Sequence, residues 1–526
     1  MSREKNTAFL KGTISLSISV VITKILGVAF KVPLSYVLGD EGMGYFNTAY
    51  AIYGFFYILC TAGVPKSLAL VLASHSATSS DETDDKYILK CALRLFVKIG
   101  FVSTLLNIIC APAMARLVGN KNACLSILAI APSILFVSLS GVLRGYLNSS
   151  EKLTPIAISQ LIEGSIKLAL GLLLAMIGVK LSASVSVISA LSIFGITVGS
   201  GISFLYMLIV AFSTKSKLIK KQNDKYSKKY ISKQIIKNAL PIALCSSLLN
   251  LSSTVDLTII IKRLVAIGMS ESYANSMYGN YTTLAVPMFM LIIAVLSPIA
   301  TSYMPRLTNI FVKGENDRFI SELNKLTGIT LLISVPASLA FYFYSFDLLD
   351  ILFSVQSSAV GAEMLAYLSF GVSLLSLLTV INTALESQGR ITVTVLSLII
   401  GAFTKISVSY ILVGSDTFGI LGAPIGTVVS YGISFIISFI ALESSGIRTY
   451  ALSKILGLYA IGFVSFYMPY RIIYCAVLTG NSLFAMMLSL SVSCLLFIII
   501  LCFVHLFLIR KNVFKMHKKK YGSLYE

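Results

Sequence analysis

The chain has 526 residues, 56% of them hydrophobic and 12% charged, with a formal net charge of +20 at pH 7. A mean hydropathy of +0.87 excludes a water-soluble domain. Apolar runs of about 20 residues or more, without strand-like alternation, exclude a β-barrel and predict an all-α integral membrane protein.

The amino terminus carries Arg3, Lys5 and Lys11 ahead of an apolar run. Lys24 and Lys31 interrupt that run and no small-residue cleavage site follows, so a retained first span is expected rather than a signal peptide. Spans are predicted over 9–37, 43–74, 90–114, 123–147, 154–178 and 184–212. A second set is predicted over 234–261, 277–304, 322–344, 361–385, 391–413 and 417–442, followed by 452–474 and 481–509, giving about fourteen transmembrane helices. The expected organisation is a first six-helix lobe at 1–212, a basic linker at 213–233, a second six-helix lobe at 234–443, and two further helices with a basic tail at 444–526.

The linker holds Lys215, Lys217, Lys220, Lys221, Lys225, Lys228, Lys229 and Lys233, with Tyr226 and Tyr230 its sole aromatic residues. Lysine without interleaved stacking groups suits anionic lipid headgroups, and nucleic acid is not an expected partner. Placing the amino terminus inside puts most Lys and Arg on inner loops and brings Lys518, Lys519 and Lys520 inside as well, so both termini are expected in the cytoplasm of a bacterial cell. The net charge is then a topology signal. The acidic stretch at Asp81, Glu82, Asp84 and Asp85 fits a solvated inner loop.

The two six-span sets resemble one another. Tyr45, Asn47, Phe56 and Pro65 recur 233 positions later as Tyr278, Asn280, Phe289 and Pro298. Ser149, Lys152, Thr154, Ser159 and Lys167 recur about 238 positions later as Ser387, Arg390, Thr392, Ser397 and Lys405. Duplicated lobes around a shared site are the platform of alternating-access transport.

An ionised side chain at mid-bilayer costs at least about 2.5–3.5 kcal/mol, so it needs a partner or a wet pathway. Lys24 and Lys31 stand seven apart, on nearly one face of the first span. Lys167 and Lys405 fall near the centres of spans five and eleven, at matched positions of the repeat. Lys31 is near enough to an interface to snorkel; Lys24 and Lys405 lie too deep. Lys24, Lys31, Lys167 and Lys405 are expected to line one cationic cavity suited to a diphosphate, since lysine is a compact point charge. Glu163 and Asp256 are the membrane-embedded acids and candidates for ion coupling. Glu163 precedes Lys167 by four residues, so a local ion pair is an equal alternative.

The eight cysteines carry no CxxC pairing and the histidines, His75, His505 and His517, are scattered, so neither a metal nor another cofactor is expected. No phosphate-binding GxxxxGK[ST] loop is present, and the sparse outer acids (Asp40, Glu41, Asp347, Asp350 and Asp416) offer little for an enzymatic centre. Pro33, Pro65, Pro132, Pro155, Pro241, Pro287, Pro298 and Pro336 interrupt or start apolar helices and are expected mostly as packing kinks.

Several stretches resemble the stage V sporulation protein B family, grouped with the lipid II flippases in the multidrug, oligosaccharidyl-lipid and polysaccharide exporter superfamily. They are Phe9-Leu10-Lys11-Gly12-Thr13, Thr23-Lys24-Ile25-Leu26-Gly27, Gly39-Asp40-Glu41-Gly42-Met43-Gly44-Tyr45, Val142-Leu143-Arg144-Gly145-Tyr146, and Pro155-Ile156-Ala157-Ile158-Ser159-Gln160 on through Glu163 to Lys167. The resemblance implies a V-shaped pair of lobes around a central cationic cavity, with a lipid-linked peptidoglycan precursor or related polyprenyl-diphosphate glycan as cargo. It places Lys24 at the first-span arginine of an S-R-x-L-G pattern and Lys31 at an arginine of the sporulation branch, and adds Arg144 to the cavity set. A second first-span arginine of the lipid II group falls on Phe30, and lysine gives no planar two-point grip, so polyprenyl-diphosphate glycans as a class are expected rather than lipid II alone. The final two helices are implied to form a groove for the lipid tail. A monomer is expected. The alternatives are a drug or toxic-cation antiporter using Glu163 and Asp256, a non-transporting accessory membrane protein, and a membrane glycosyltransferase.

Overall fold

The computed structural model describes residues 2–61, 64–65, 67–68, 71, 82–149, 153–213, 228–353, 355–447, 452–474 and 484–500; of Lys24 the backbone alone is described. Every long element among them is a helix, as a medium without water requires, because only a helix satisfies each backbone N–H and C=O within its own segment.

Helix α1 (Ser2–Thr61) is two antiparallel limbs. At Gly39 the backbone takes φ 63° and ψ −179°, a conformation open to glycine and costly for other residues. The reversal is evident from Lys31 and Asn47. In a straight helix sixteen residues span about 24 Å, yet the Lys31 Nζ lies 3.2 Å from Asn47 Oδ1. The Phe30 and Phe46 rings, 5.8 Å apart, close the same hairpin one step along.

The next helices are α2 (Glu82–Val118), the short α3 (Cys124–Ile130), α4 (Ser133–Ser149), α5 (Leu153–Lys180) and α6 (Val185–Ser213). They are followed by α7 (Lys228–Ala266), α8 (Glu271–Asn280), one wide π-type turn at Tyr281–Ala285, and α9 (Val286–Val312). Then come α10 (Asn316–Phe343), α11 (Ser345–Asp350), α12 (Val355–Ser387), α13 (Ile391–Val413), α14 (Gly422–Glu443), α15 (Leu452–Pro469) and α16 (Phe484–Ile500). Nine helical stretches among the described residues are long and apolar enough to cross a membrane. Helices overrun the apolar runs that announce them: α2 extends past the expected 90–114 at both ends. Hydropathy marks the part of a helix inside the hydrocarbon, while hydrogen bonding continues into the interface. Most of the expected linker lies outside the described residues, as do the carboxyl tail and Asp81, whereas Lys228, Lys229 and Lys233 already belong to α7.

The chain divides into two compact units, 1–298 with 395–433, and 299–394 with 434–526. The first has a core around Leu68, Ile88, Leu143, Met207 and Ile235. The core of the second is built on Phe319, Leu323, Val335, Leu377, Phe466 and Phe497, so α15 and α16 contribute to it directly. Outside these cores, α2 presents Phe101, Val102, Leu105 and Ile109 bare. Such a stripe is the expected exterior when the surrounding solvent is lipid.

Candidate functional site

A cavity of about 440 Å³ opens in the first unit between the two limbs of α1 and helices α4, α5 and α6. Its polar wall is Tyr50, Tyr57, Arg144, Gln160, Glu163 and Lys167. Helices α5 and α6 make close contact. A Cβ on Gly195 would fall 2.6 Å from the Gly171 nitrogen, and one on Gly199 would fall 2.9 Å from the Glu163 carbonyl oxygen. With one side of α5 so occupied, Gln160, Glu163, Gly164 and Lys167, spaced at three to four residues, share the side that meets α1.

Inside the cavity the charges do not pair as neighbours in sequence. Glu163 Oε2 accepts from Arg144 Nη2 at 3.0 Å, with side-chain exposures of 24% and 16% respectively, so the pair is largely shielded. The local Glu163–Lys167 ion pair is thus replaced by one reaching across from α4, whose guanidinium offers a donor fork a lysine lacks. The Tyr57 hydroxyl lies against the same guanidinium. Lys167 instead stands over aromatic faces, its Nζ 4.9 Å from the Tyr50 centroid and 5.4 Å from that of Phe30. Among the described residues it meets no carboxylate. Two cations against one acid leave the wall with a surplus positive charge.

The remaining candidates lie elsewhere. Lys405 on α13 meets Asp256 on α7, Nζ to Oδ2 2.9 Å, with Tyr278, Tyr281 and Tyr431 around the pair. Tyr281 hydrogen-bonds Thr427 at 3.1 Å, and Tyr431 stacks on Phe289 at 5.9 Å. Lys31 donates to the Thr282 carbonyl at 2.8 Å and to Asn47 Oδ1. Neither Lys31 nor Lys405 is part of the cavity wall, and the Lys24 side chain lies outside the described residues. Arg144, Glu163 and Lys167 are the residues brought together. The tyrosines Tyr50, Tyr53 and Tyr57 were not singled out from the sequence, although their spacing puts them on one helix face.

A cavity of this kind can hold an anion. Lys167 brings an ammonium whose partners are aromatic faces, and the Arg144–Glu163 pair and Gln160 place further hydrogen-bonding groups on the same wall.

A family model described as polysaccharide biosynthesis protein matches residues 9–311, and one described as MatE matches residues 282–411. Stage V sporulation protein B of Bacillus subtilis (strain 168) is 23% identical over 428 residues, 80% of each chain. The lipid II flippase MurJ of the same organism is 21% identical over 457 residues, 83% of each chain. Among solved structures, lipid II flippase MurJ in an inward closed conformation has a TM-score of 0.73 at 16% identity, covering 94% of this chain and all of that one. An inward-facing multidrug resistance MATE family transporter of the MOP superfamily has a TM-score of 0.66 at 15% identity, covering 84% of this chain. The fold is that of these transporters, and the homologous proteins are transporters and flippases rather than enzymes. With a match over more than half of its length, on a multi-pass helical membrane scaffold, the chain belongs to the polysaccharide biosynthesis protein family.

Proposed function

We propose that this membrane transporter is a flippase that carries a polyprenyl-diphosphate-linked glycan across the bacterial cytoplasmic membrane by alternating access. The cargo class includes lipid II, the cargo named for one relative. The observation that carries the reading is Lys167, an ammonium in a membrane-embedded cavity with aromatic faces and no carboxylate beside it among the described residues. A diphosphate supplies the missing charge, and the glycan on it is amphiphilic enough to use the tyrosine wall. Lys24, on the same first limb of α1 as the cavity-lining Thr23 and Leu26, is assigned to this set with Arg144. In this reading residues 1–212 and 234–443 are the rocking lobes, both termini are cytoplasmic, the 213–233 linker lies against anionic headgroups, and the carrier acts as a monomer.

Cation antiport fits less well, because a carboxylate that binds a transported cation must be available to it. Glu163 and Asp256 each hold a cation of the chain itself. An ion gradient would act on the carrier by loosening one of those two pairs.

The test is reconstitution. Purified protein in liposomes is expected to expose a fluorescent polyprenyl-diphosphate glycan to an external reagent and to leave efflux of a lipophilic cation at the background rate. Lys167→Gln is expected to slow glycolipid movement by a factor of about ten or more, the weight of one charge-assisted contact, with folding retained. Cation efflux without glycolipid movement would reverse the assignment.

A further inference from the structure

Lys31 makes contacts outside the wall of the cavity. It sits eight residues before the Gly39 bend, in the limb of α1 that ends there. Its ammonium is held by two uncharged oxygens, the Thr282 carbonyl at 2.8 Å and Asn47 Oδ1 at 3.2 Å. Asn47 passes the contact on, donating from Nδ2 to Thr283 Oγ1 at 2.7 Å. Thr282 and Thr283 both lie in the wide turn between α8 and α9, and turns of that kind frequently occur at functional sites.

Further contacts join the same two segments around the bend. Asn275 donates to the Glu41 carbonyl at 2.8 Å, and Asn280 donates to Asp40 Oδ2 at 3.1 Å. Asn120 bridges Thr48 and Asn275. Lys31 is the cation in this ladder, one helical turn on from Gly27 in the cavity wall. Its chain neighbour Phe30 lies under Lys167, and the Lys31 and Lys167 ammonium groups are close enough to repel one another.

The balance of forces is therefore one-sided. While the cavity is empty, Lys31 has a second cation, Lys167, for a neighbour and two neutral oxygens for partners. Once an anion occupies the cavity, the repulsion is screened and an ionised acceptor becomes available, which adds the attraction of opposite charges to hydrogen bonds that now have only the donor charged.

We propose that Lys31 is a cargo-released latch: a phosphate ester held at Lys167 draws the Lys31 ammonium off Thr282 and Asn47, and so frees the bend of α1 from the α8–α9 segment. The latch rests on the flippase reading and deepens it, since it ties opening of that end to occupancy by the anionic head group. In the orientation expected from the charge distribution, that end faces outward.

The experiment uses the full chain in lipid nanodiscs with its native cysteines replaced and spin labels at Ser184→Cys and Glu271→Cys. Both positions are exposed; Ser184 precedes Val185, which packs on Gly42 beside the bend, and Glu271 starts α8. Farnesyl diphosphate is the probe, with its binding measured separately by equilibrium dialysis. In the otherwise native chain it is expected to raise a longer-distance component from about a tenth of molecules or fewer to more than about half. Lys31→Met is expected to show the longer component before any probe is added and to gain little from it, Lys31→Arg to stay short until the probe binds, and Thr283→Val to fall between. A Lys31→Met protein that stays short and still lengthens with the probe would overturn the latch. Probe that binds the native chain without changing the distance would also overturn it while leaving the flippase reading intact, whereas probe that fails to bind would remove that reading and cargo release with it.

Discussion

The Asp256–Lys405 pair allows a quantitative test of how charge is kept in this membrane. The two groups are 2.9 Å apart with side-chain exposures of 6% and 19%. At an effective dielectric of about 20, unit charges at that distance attract by roughly 6 kcal/mol, most of it offset by the cost of removing both from water. Taking away one partner leaves the other buried and uncompensated, so Asp256→Asn alone and Lys405→Met alone are each expected to cost about 3–5 kcal/mol. The double variant buries no net charge and is expected to lie within about 1 kcal/mol of the native protein, a coupling far outside the additivity of independent sites. Cys60 and Cys91 are buried, and the chain contains no tryptophan, so unfolding in detergent is best followed by a thiol-reactive fluorophore. A double variant as unstable as the worse single would refute the reasoning, because it would show that the side chains matter for packing and the charges do not.

Two further outcomes rest on the backbone. Gly39→Ala forces a side chain into a region of φ and ψ that glycine alone occupies readily, and is expected to cost about 1–3 kcal/mol in the same thiol-unmasking assay. Gly195→Leu must separate α5 from α6 against a Cβ contact of 2.6 Å, an overpacking worth about 1–3 kcal/mol or more, and should weaken cargo movement by displacing Glu163 and Lys167. Gly54→Ala, at a helical position where an added Cβ meets nothing within 4 Å, serves as the control and is expected to be at least as stable as the native chain, by up to about 1 kcal/mol.

The helical membrane scaffold was legible because a hydrocarbon solvent imposes one length and one polarity on every span. The Gly39-Asp40-Glu41-Gly42 break also announced its turn, and the repeat placed Lys167 and Lys405 at corresponding points. Pairing was not legible. The rule that favours residues four apart pointed Glu163 to Lys167, but Arg144 arrives from another helix with a better donor geometry. Asp256 and Lys405 are joined by tertiary packing and carry no mutual signal along the chain. The repeat itself misleads here: at an offset of 233, Asp256 corresponds to Thr23, which brings no charge. Lys167 therefore rests on aromatic faces where its counterpart Lys405 has a carboxylate. The tyrosines of the cavity wall were hidden because their ring positions count as apolar when a span is scored for length.

The wide turn at Tyr281–Ala285 also bears on the sequence repeat. The offset between Tyr45 and Tyr278 is the same as that between Pro65 and Pro298, so neither half has gained or lost a residue across this stretch. Yet one half winds regularly here and the other spends an extra residue in a single loop of the spiral, turning the rest of that helix by about 100° relative to its twin. At this one change of pitch the later stretch presents a backbone carbonyl, that of Thr282, to an ammonium carried by the earlier one, Lys31.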